Sequence, residues 1–191
     1  AHLSCAASFA ALKDAKERGL AVTGETCPHY WTLTDEAVGD HDTMAKMNPP
    51  LRSESDREAT LAAIVGGTVD CLATDHAPHT IEEKRQTFDR APFGIVGLET
   101  ALGLTLTGLV HPGHLTLERA LELWTDRPRR IFGLPAVSLD AGSPADIVLV
   151  DPELEWTVEA SAFRSQGRNT PFEGWRMNGR AIATFMAGRP T

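Results

Sequence analysis

The stretch Val69-Asp70-Cys71-Leu72-Ala73-Thr74 constrains this chain more than any other, because a mostly apolar run of strand length ends on Asp75-His76-Ala77-Pro78-His79. Lacking the alternation of a half-exposed antiparallel strand, it has the pattern of a strand covered on both faces, as in parallel sheets flanked by helices. Pro78 then forces the chain out of regular structure. A carboxylate and two imidazoles at the end of a buried strand are hard and borderline donors suited to zinc, and the carboxylate is also suited to proton transfer. A plainer arrangement fits the same residues: Asp75 capping the next turn, with His76 and His79 on the surface.

Helix and strand signals alternate around this run. Residues 8–18 carry Phe9, Leu12 and Ala15 at helical spacing with Gly19 as a stop, and residues 20–23 read as a short strand. Ser55-Asp56-Arg57-Glu58 has capping-box spacing, and Leu61, Ile64 and Val65 continue a helical stripe that Gly66-Gly67 ends. Further helices are expected over 97–109, 116–124 and 126–132. This order predicts an α/β fold with buried parallel strands, in which functional groups gather at the C-terminal ends of the strands. The texture changes after Gly133. Gly142-Ser143-Pro144 is a turn, and strands are expected over 145–150, 156–158 and 181–186, separated by Gly- and Asn-containing turns. The chain therefore divides into an α/β part, residues 1–135, and part of a small β-domain, residues 136–191, with too few strands to close a sandwich alone.

Charge and composition exclude several partners. A net charge of −8 over 191 residues leaves no Lys/Arg surplus to neutralise phosphates, and Arg127-Pro128-Arg129-Arg130 is the longest basic cluster, so no nucleic acid is expected. No apolar run approaches the ~20 residues that span a bilayer, so no membrane is expected either. Cys5, Cys27 and Cys71 are odd in number, widely spaced and set among apolar neighbours, which fits reduced core thiols and a cytoplasmic home. The opening Ala1-His2-Leu3-Ser4, without Met, is expected of a chain that has lost its beginning.

Four other strings carry potential chemistry. In Lys46-Met47-Asn48-Pro49-Pro50-Leu51-Arg52, two prolines stiffen the backbone and can hold Asn48 and Arg52 towards an anionic or amide-bearing substrate; a stiff loop before a helix fits equally. His2 is a metal ligand if it ends another strand, and otherwise a bystander near a terminus. His29, in Cys27-Pro28-His29-Tyr30, supports such a site or is simply packed. Residues 88–94, ending Pro92-Phe93-Gly94, read as a mobile loop whose glycine lets backbone approach a ligand, or as an ordinary surface connection.

Taken in order, these motifs resemble those of the bacterial type I dihydroorotases of the amidohydrolase superfamily. His2-Leu3-Ser4 is similar to their strand-end ligand motif, Lys46-to-Arg52 to their substrate loop, Thr74-to-His79 to their catalytic strand end, and Pro92-to-Gly97 to their flexible loop. Gly142-to-Pro152 and Asn169-Thr170-Pro171-Phe172 resemble their composite β-domain. The resemblance implies the C-terminal half of a metal-dependent (β/α)8 barrel plus strands of a composite β-sandwich. It implies a site with two Zn2+ ions, in which His2 ligates one and Asp75 contacts zinc and serves as general base and acid. Asn48, His79 and the Phe93-Gly94 backbone would hold dihydroorotate or carbamoyl aspartate. Paired zinc ions bring the pKa of a bridging water near ~7, and Asp75 would take its proton and return it to the departing ring nitrogen.

The resemblance also implies what is missing. The family's His-x-His pair, its bridging acidic or carboxylated-lysine ligand, a further His and the carboxylate-gripping Arg belong to an N-terminal segment absent here, so the chain alone is expected to be inactive. That segment is then its first partner, with a homodimer and aspartate transcarbamoylase as further ones. Two rivals stand beside this reading: a hydantoinase or allantoinase with the same metal chemistry, and a non-catalytic scaffold for aspartate transcarbamoylase. Asn48 and His79 favour dihydroorotate.

Overall fold

The computed structural model describes residues 1–191. Its first part is built on backbone segments laid side by side. The Leu3 amide donates to the Glu25 carbonyl at 2.9 Å; Glu25–Thr26 (β1) pairs in parallel with Cys71–Leu72 (β2); His76 bridges in parallel to Ile95. Helices fill the connections: Ala6–Glu17 (α1), Pro28–Thr32 (α2), Glu54–Val65 (α3), Ile81–Lys84 (α4) and Leu98–Thr105 (α5). Leu117–Trp124 (α6) and Asp126–Ile131 (α7) follow. The expected alternation and parallel pairing are present, in strands far shorter than the apolar run suggests.

The strand expected at 20–23 is displaced. Leu20 and Val22 are exposed, and ladder pairing begins only where Asp70 donates to the Gly24 carbonyl at 2.9 Å. Gly24 sets this start, because a Cβ there would run into the Leu3 and Leu12 side chains. The cap of α3 also lies earlier than its spacing suggested: Ser53, not Ser55, is the N-cap, its hydroxyl accepting from the Asp56 amide at 3.4 Å. The helix expected over 97–109 begins as α5 and loosens into a π-helical turn, Leu106–Val110.

Two apolar clusters hold the layers together. Phe9 of α1, Trp31 of α2, Ile64 of α3, Val69, Leu72 and Leu123 form one. The other joins Cys27, Met47, Ile95 and Val96 to Val158, Phe172 and Met177 from the C-terminal part, so one core spans both ends of the chain. Each such side chain taken from water contributes about 1.5–3 kcal/mol before chain entropy is set against it.

The C-terminal part is an antiparallel sheet of Ile147–Thr157 (β3), Arg176–Met186 (β4) and Arg189–Pro190 (β5). Two strands expected at 145–150 and 156–158 are one, because register shifts after Leu149 and Asp151 carry it past Pro152. Such irregularities are where a strand tolerates a residue without an N–H.

α5 starts against the segment that follows β2. His76 Nδ1 accepts from the Gly97 and Leu98 amides at 3.1 and 3.4 Å, and a Cβ at Gly97 would collide with the Thr74 carbonyl. Gly97→Ala is therefore expected to lower stability by about 1–3 kcal/mol, measured as a shift in the urea midpoint; an unchanged midpoint would show that this contact has slack.

Candidate functional site

The paired segments bring together side chains far apart in sequence. Thr26 Oγ1 donates to the Leu3 carbonyl at 2.6 Å and the Ala73 amide to the Thr26 carbonyl at 3.0 Å. With the three segments fixed in this way, His2, Glu25 and Asp75 share one rim. His2 Nε2 lies 3.4 Å from Asp75 Oδ1, and His2 Nδ1 lies 2.9 Å from Glu25 Oε1. The Glu25 carboxylate also accepts from the His2 backbone amide at 2.5 Å. An ionised carboxylate can only accept, so Glu25 is placed to hold Nδ1 as a donor, which would leave Nε2 to share a cation with Asp75.

Cys27 sits behind this pair, fully buried, its Sγ 3.4 Å from His2 Nδ1 and 3.8 Å from Glu25 Oε2. Ligand atoms of His2, Glu25 and Cys27 all fall within 4.8 Å of one another, a potential metal-holding group. Burial first, then Glu25 and Asp75, push the Cys27 thiol far above its usual range. It is a protonated core thiol unless a cation displaces the proton.

Asp75 is an under-compensated carboxylate. Burial pushes its pKa up, His2 pulls it down and Glu25 pushes it up again. Its backbone sits at φ 47°, and that of His2 at φ 54°, left-handed conformations that cost of order 1–3 kcal/mol and gather at functional sites. Two carboxylates around one imidazole, partly buried, are an arrangement that a cation would relieve. The donor set therefore fits a divalent metal, with His2 Nε2 and Asp75 as the open, facing pair.

His79 and residues 93–94 are also brought together. His79 Nε2 lies 3.0 Å from the Phe93 carbonyl oxygen, and the Gly94 amide donates to the Lys46 carbonyl at 2.9 Å. The segment carrying Asn48 is thus tied to Gly94, while the Asn48 side chain itself is exposed and Phe93 is 54% exposed. Tyr30 donates to the Pro49 carbonyl at 2.6 Å, linking that segment to α2. The fully buried Asn169 fastens the other side: its Oδ1 accepts from the His79 amide at 2.9 Å and its Nδ2 donates to the Ala77 and Gly94 carbonyls, each at 3.0 Å.

Several side chains differ from their sequence reading. His76 caps α5 instead of joining the ligand candidates. His29 is packed against Tyr30, its Nε2 without a hydrogen-bond partner, and burial holds it neutral with a pKa down to about 3. Glu25 escaped sequence analysis because a lone carboxylate in Gly24-Glu25-Thr26 has no motif; only the strand register puts it on His2. Arg52 reaches towards Ser4, with Nε 3.4 Å from the hydroxyl.

On this α/β scaffold, residues 2–191 match the model of the amidohydrolase family. The chain belongs to that family. It is 53% identical over 188 residues to the dihydroorotase of Desulfotalea psychrophila and 50% identical over 189 residues to that of Pelotomaculum thermopropionicum. These matches cover 98% and 99% of the chain but 44% of each relative, so the chain spans less than half the length of the curated relatives it matches. Among solved structures, L-hydantoinase from Arthrobacter aurescens superposes with a TM-score of 0.92 at 30% identity, covering 99% of the chain and 43% of that structure. Dihydropyrimidinase from Brevibacillus agri gives 0.91 at 27% identity with the same coverage. No helix is long and apolar enough to cross a membrane.

The raised pKa of Asp75 has a measurable consequence. In the metal-free chain, its carboxyl holds a proton to higher pH when folded than when unfolded, so wild-type stability falls as pH rises above the unfolded value of 3.8. Asp75→Asn removes this loss. Its stability advantage over wild type in a chelator is expected to grow from acid towards neutral pH, read from paired denaturation curves; a constant difference would mean that Asp75 is fully compensated within the protein.

Proposed function

We propose that this chain supplies the C-terminal half of the (β/α)8 barrel, residues 1–135, and strands of a composite β-sandwich, residues 136–191, of a zinc-dependent dihydroorotase that interconverts dihydroorotate and carbamoyl aspartate. The observation that carries this reading is the approach of His2 Nε2 to within 3.4 Å of Asp75 Oδ1; the Lys46–Arg52 and Phe88–Gly94 segments, tied together by the Gly94 amide on the Lys46 carbonyl, would wall that rim. Relatives at 45–53% identity along the whole chain are dihydroorotases, whereas the hydantoinases and the dihydropyrimidinase are 25–30% identical, which favours dihydroorotate over their ring substrates.

His2 and Asp75 would hold metal here, with Glu25 fixing the His2 imidazole. Bound zinc would supply Lewis acidity towards the ring amide and a water acidic enough to attack it near neutral pH. Asp75 accepts the proton of that water at its carboxylate. The Asp75 carboxyl would release it again to the ring nitrogen as the C–N bond breaks, so one side chain serves both halves of the reaction. Asn48, His79 and the Phe93-Gly94 backbone orient the substrate, the exposed Asn48 amide offering both a donor and an acceptor to it.

With His2 and Asp75 as the facing ligand pair, the 191 residues alone fall short of a closed binuclear site. The isolated chain is expected to show no dihydroorotate turnover, and activity is expected when the chain is joined to the additional length that its relatives carry. In that complete protein, Asp75→Asn is expected to lower kcat by about 10²–10⁴-fold, with little change in KM. Steady-state rates on dihydroorotate, allantoin and dihydrouracil test the assignment: preference for either of the latter two would overturn it, as would turnover by Asp75→Asn at the wild-type rate.

A further inference from the structure

The segment that walls the site is held by its own carbonyls. Lys46 Nζ donates to the Phe88 and Ala91 carbonyls, each at 2.5 Å, and Lys84 Nζ donates to those of Pro92 at 3.0 Å and Gly94 at 3.1 Å. His79 meets the Phe93 carbonyl and Asn169 shares that of Gly94, each at 3.0 Å. Five carbonyls between Phe88 and Gly94 are therefore fastened by four side chains.

Lys84 is the costly member of this set. It is 0% exposed and has no carboxylate within 4.0 Å, the range in which ten other pairs form. Burial, followed by repulsion from Lys46, pushes its pKa down to about 8. An unpaired buried ammonium is expensive, and methionine would fill the same space without that cost. What methionine could not do is donate hydrogen bonds. Lys84 reaches this place because Thr80 and Glu83 form a reciprocal cap that winds α4 and leaves Lys84 as its last residue, turned inward.

We propose that Lys84 is a positioning residue whose ammonium holds the Pro92 and Gly94 carbonyls, keeping the Phe93-Gly94 backbone set for substrate before substrate arrives. The segment is then a preformed wall instead of a lid. Gly94 is suited to this, because its φ of 115° and its contact with Ala77 exclude any side chain, so the wall presents bare backbone. The inference rests on the substrate assignment made under the proposed function, but its first test does not.

Amide exchange at Gly94 in the substrate-free complete protein is expected to be slowed at least about 100-fold relative to an unstructured peptide, and Lys84→Met is expected to lose most of that protection with bound zinc per chain unchanged. The same variant is expected to raise KM for dihydroorotate about tenfold or more while kcat stays within about threefold, a split that general destabilisation would not give. Rapid exchange of Gly94 in the wild type overturns the proposal, as does Lys84→Met with unaltered KM and protection. Should Lys84→Met fail to fold, Lys84→Gln, a shorter side chain that keeps one donor group, takes its place in both measurements, with the same losses expected and the same unaltered values overturning the proposal. Should the wild type not hydrolyse dihydroorotate, the functional reading fails while exchange still reports on the wall.

Discussion

Everything at the candidate site depends on the lateral register of three short backbone segments. The Leu3 amide on the Glu25 carbonyl and the Asp70 amide on the Gly24 carbonyl put His2, Glu25 and Asp75 on one rim. Asp70 reinforces this register from its side chain: its carboxylate takes the Gly24 amide at 2.8 Å and Lys16 of α1 at 2.7 Å. A slip by one residue would send every side chain of a strand to its other face and dissolve the constellation. The helices and apolar clusters exist, in this sense, to hold a very small sheet in place.

That placement is unfavourable for the chain by itself. Two carboxylates converge on one imidazole in a half-buried setting, and two non-glycine residues, His2 and Asp75, take left-handed backbone conformations. Interactions of this kind are retained against their cost where a ligand compensates them. A divalent cation is the simplest such ligand. Orientation of His2 by Glu25 is the usual means of aiming an imidazole at a metal, since the carboxylate fixes which nitrogen is free.

The Phe88–Gly94 segment is built differently. There the polar groups are satisfied almost completely, through two lysines, His79 and Asn169 acting on successive carbonyls. A rim of converging titratable side chains thus contrasts with a backbone segment whose carbonyls are fastened one after another.

The sequence alone determined which local pieces are candidates for chemistry. An apolar run ending on Asp75, prolines stiffening the Asn48 segment, and Phe93-Gly94 as a backbone-presenting turn are local patterns, and local sterics and hydrophobic periodicity suffice to reveal them. The helical stripes of α1 and α3 were legible for the same reason, within a few residues at their ends. What pairs with what was decided only in three dimensions. Glu25 beneath His2, Asn169 across His79, and Lys84 behind Gly94 are 23, 90 and 10 residues apart. No spacing rule relates such positions; the hydrogen-bond register between strands and the shared core across both ends of the chain do.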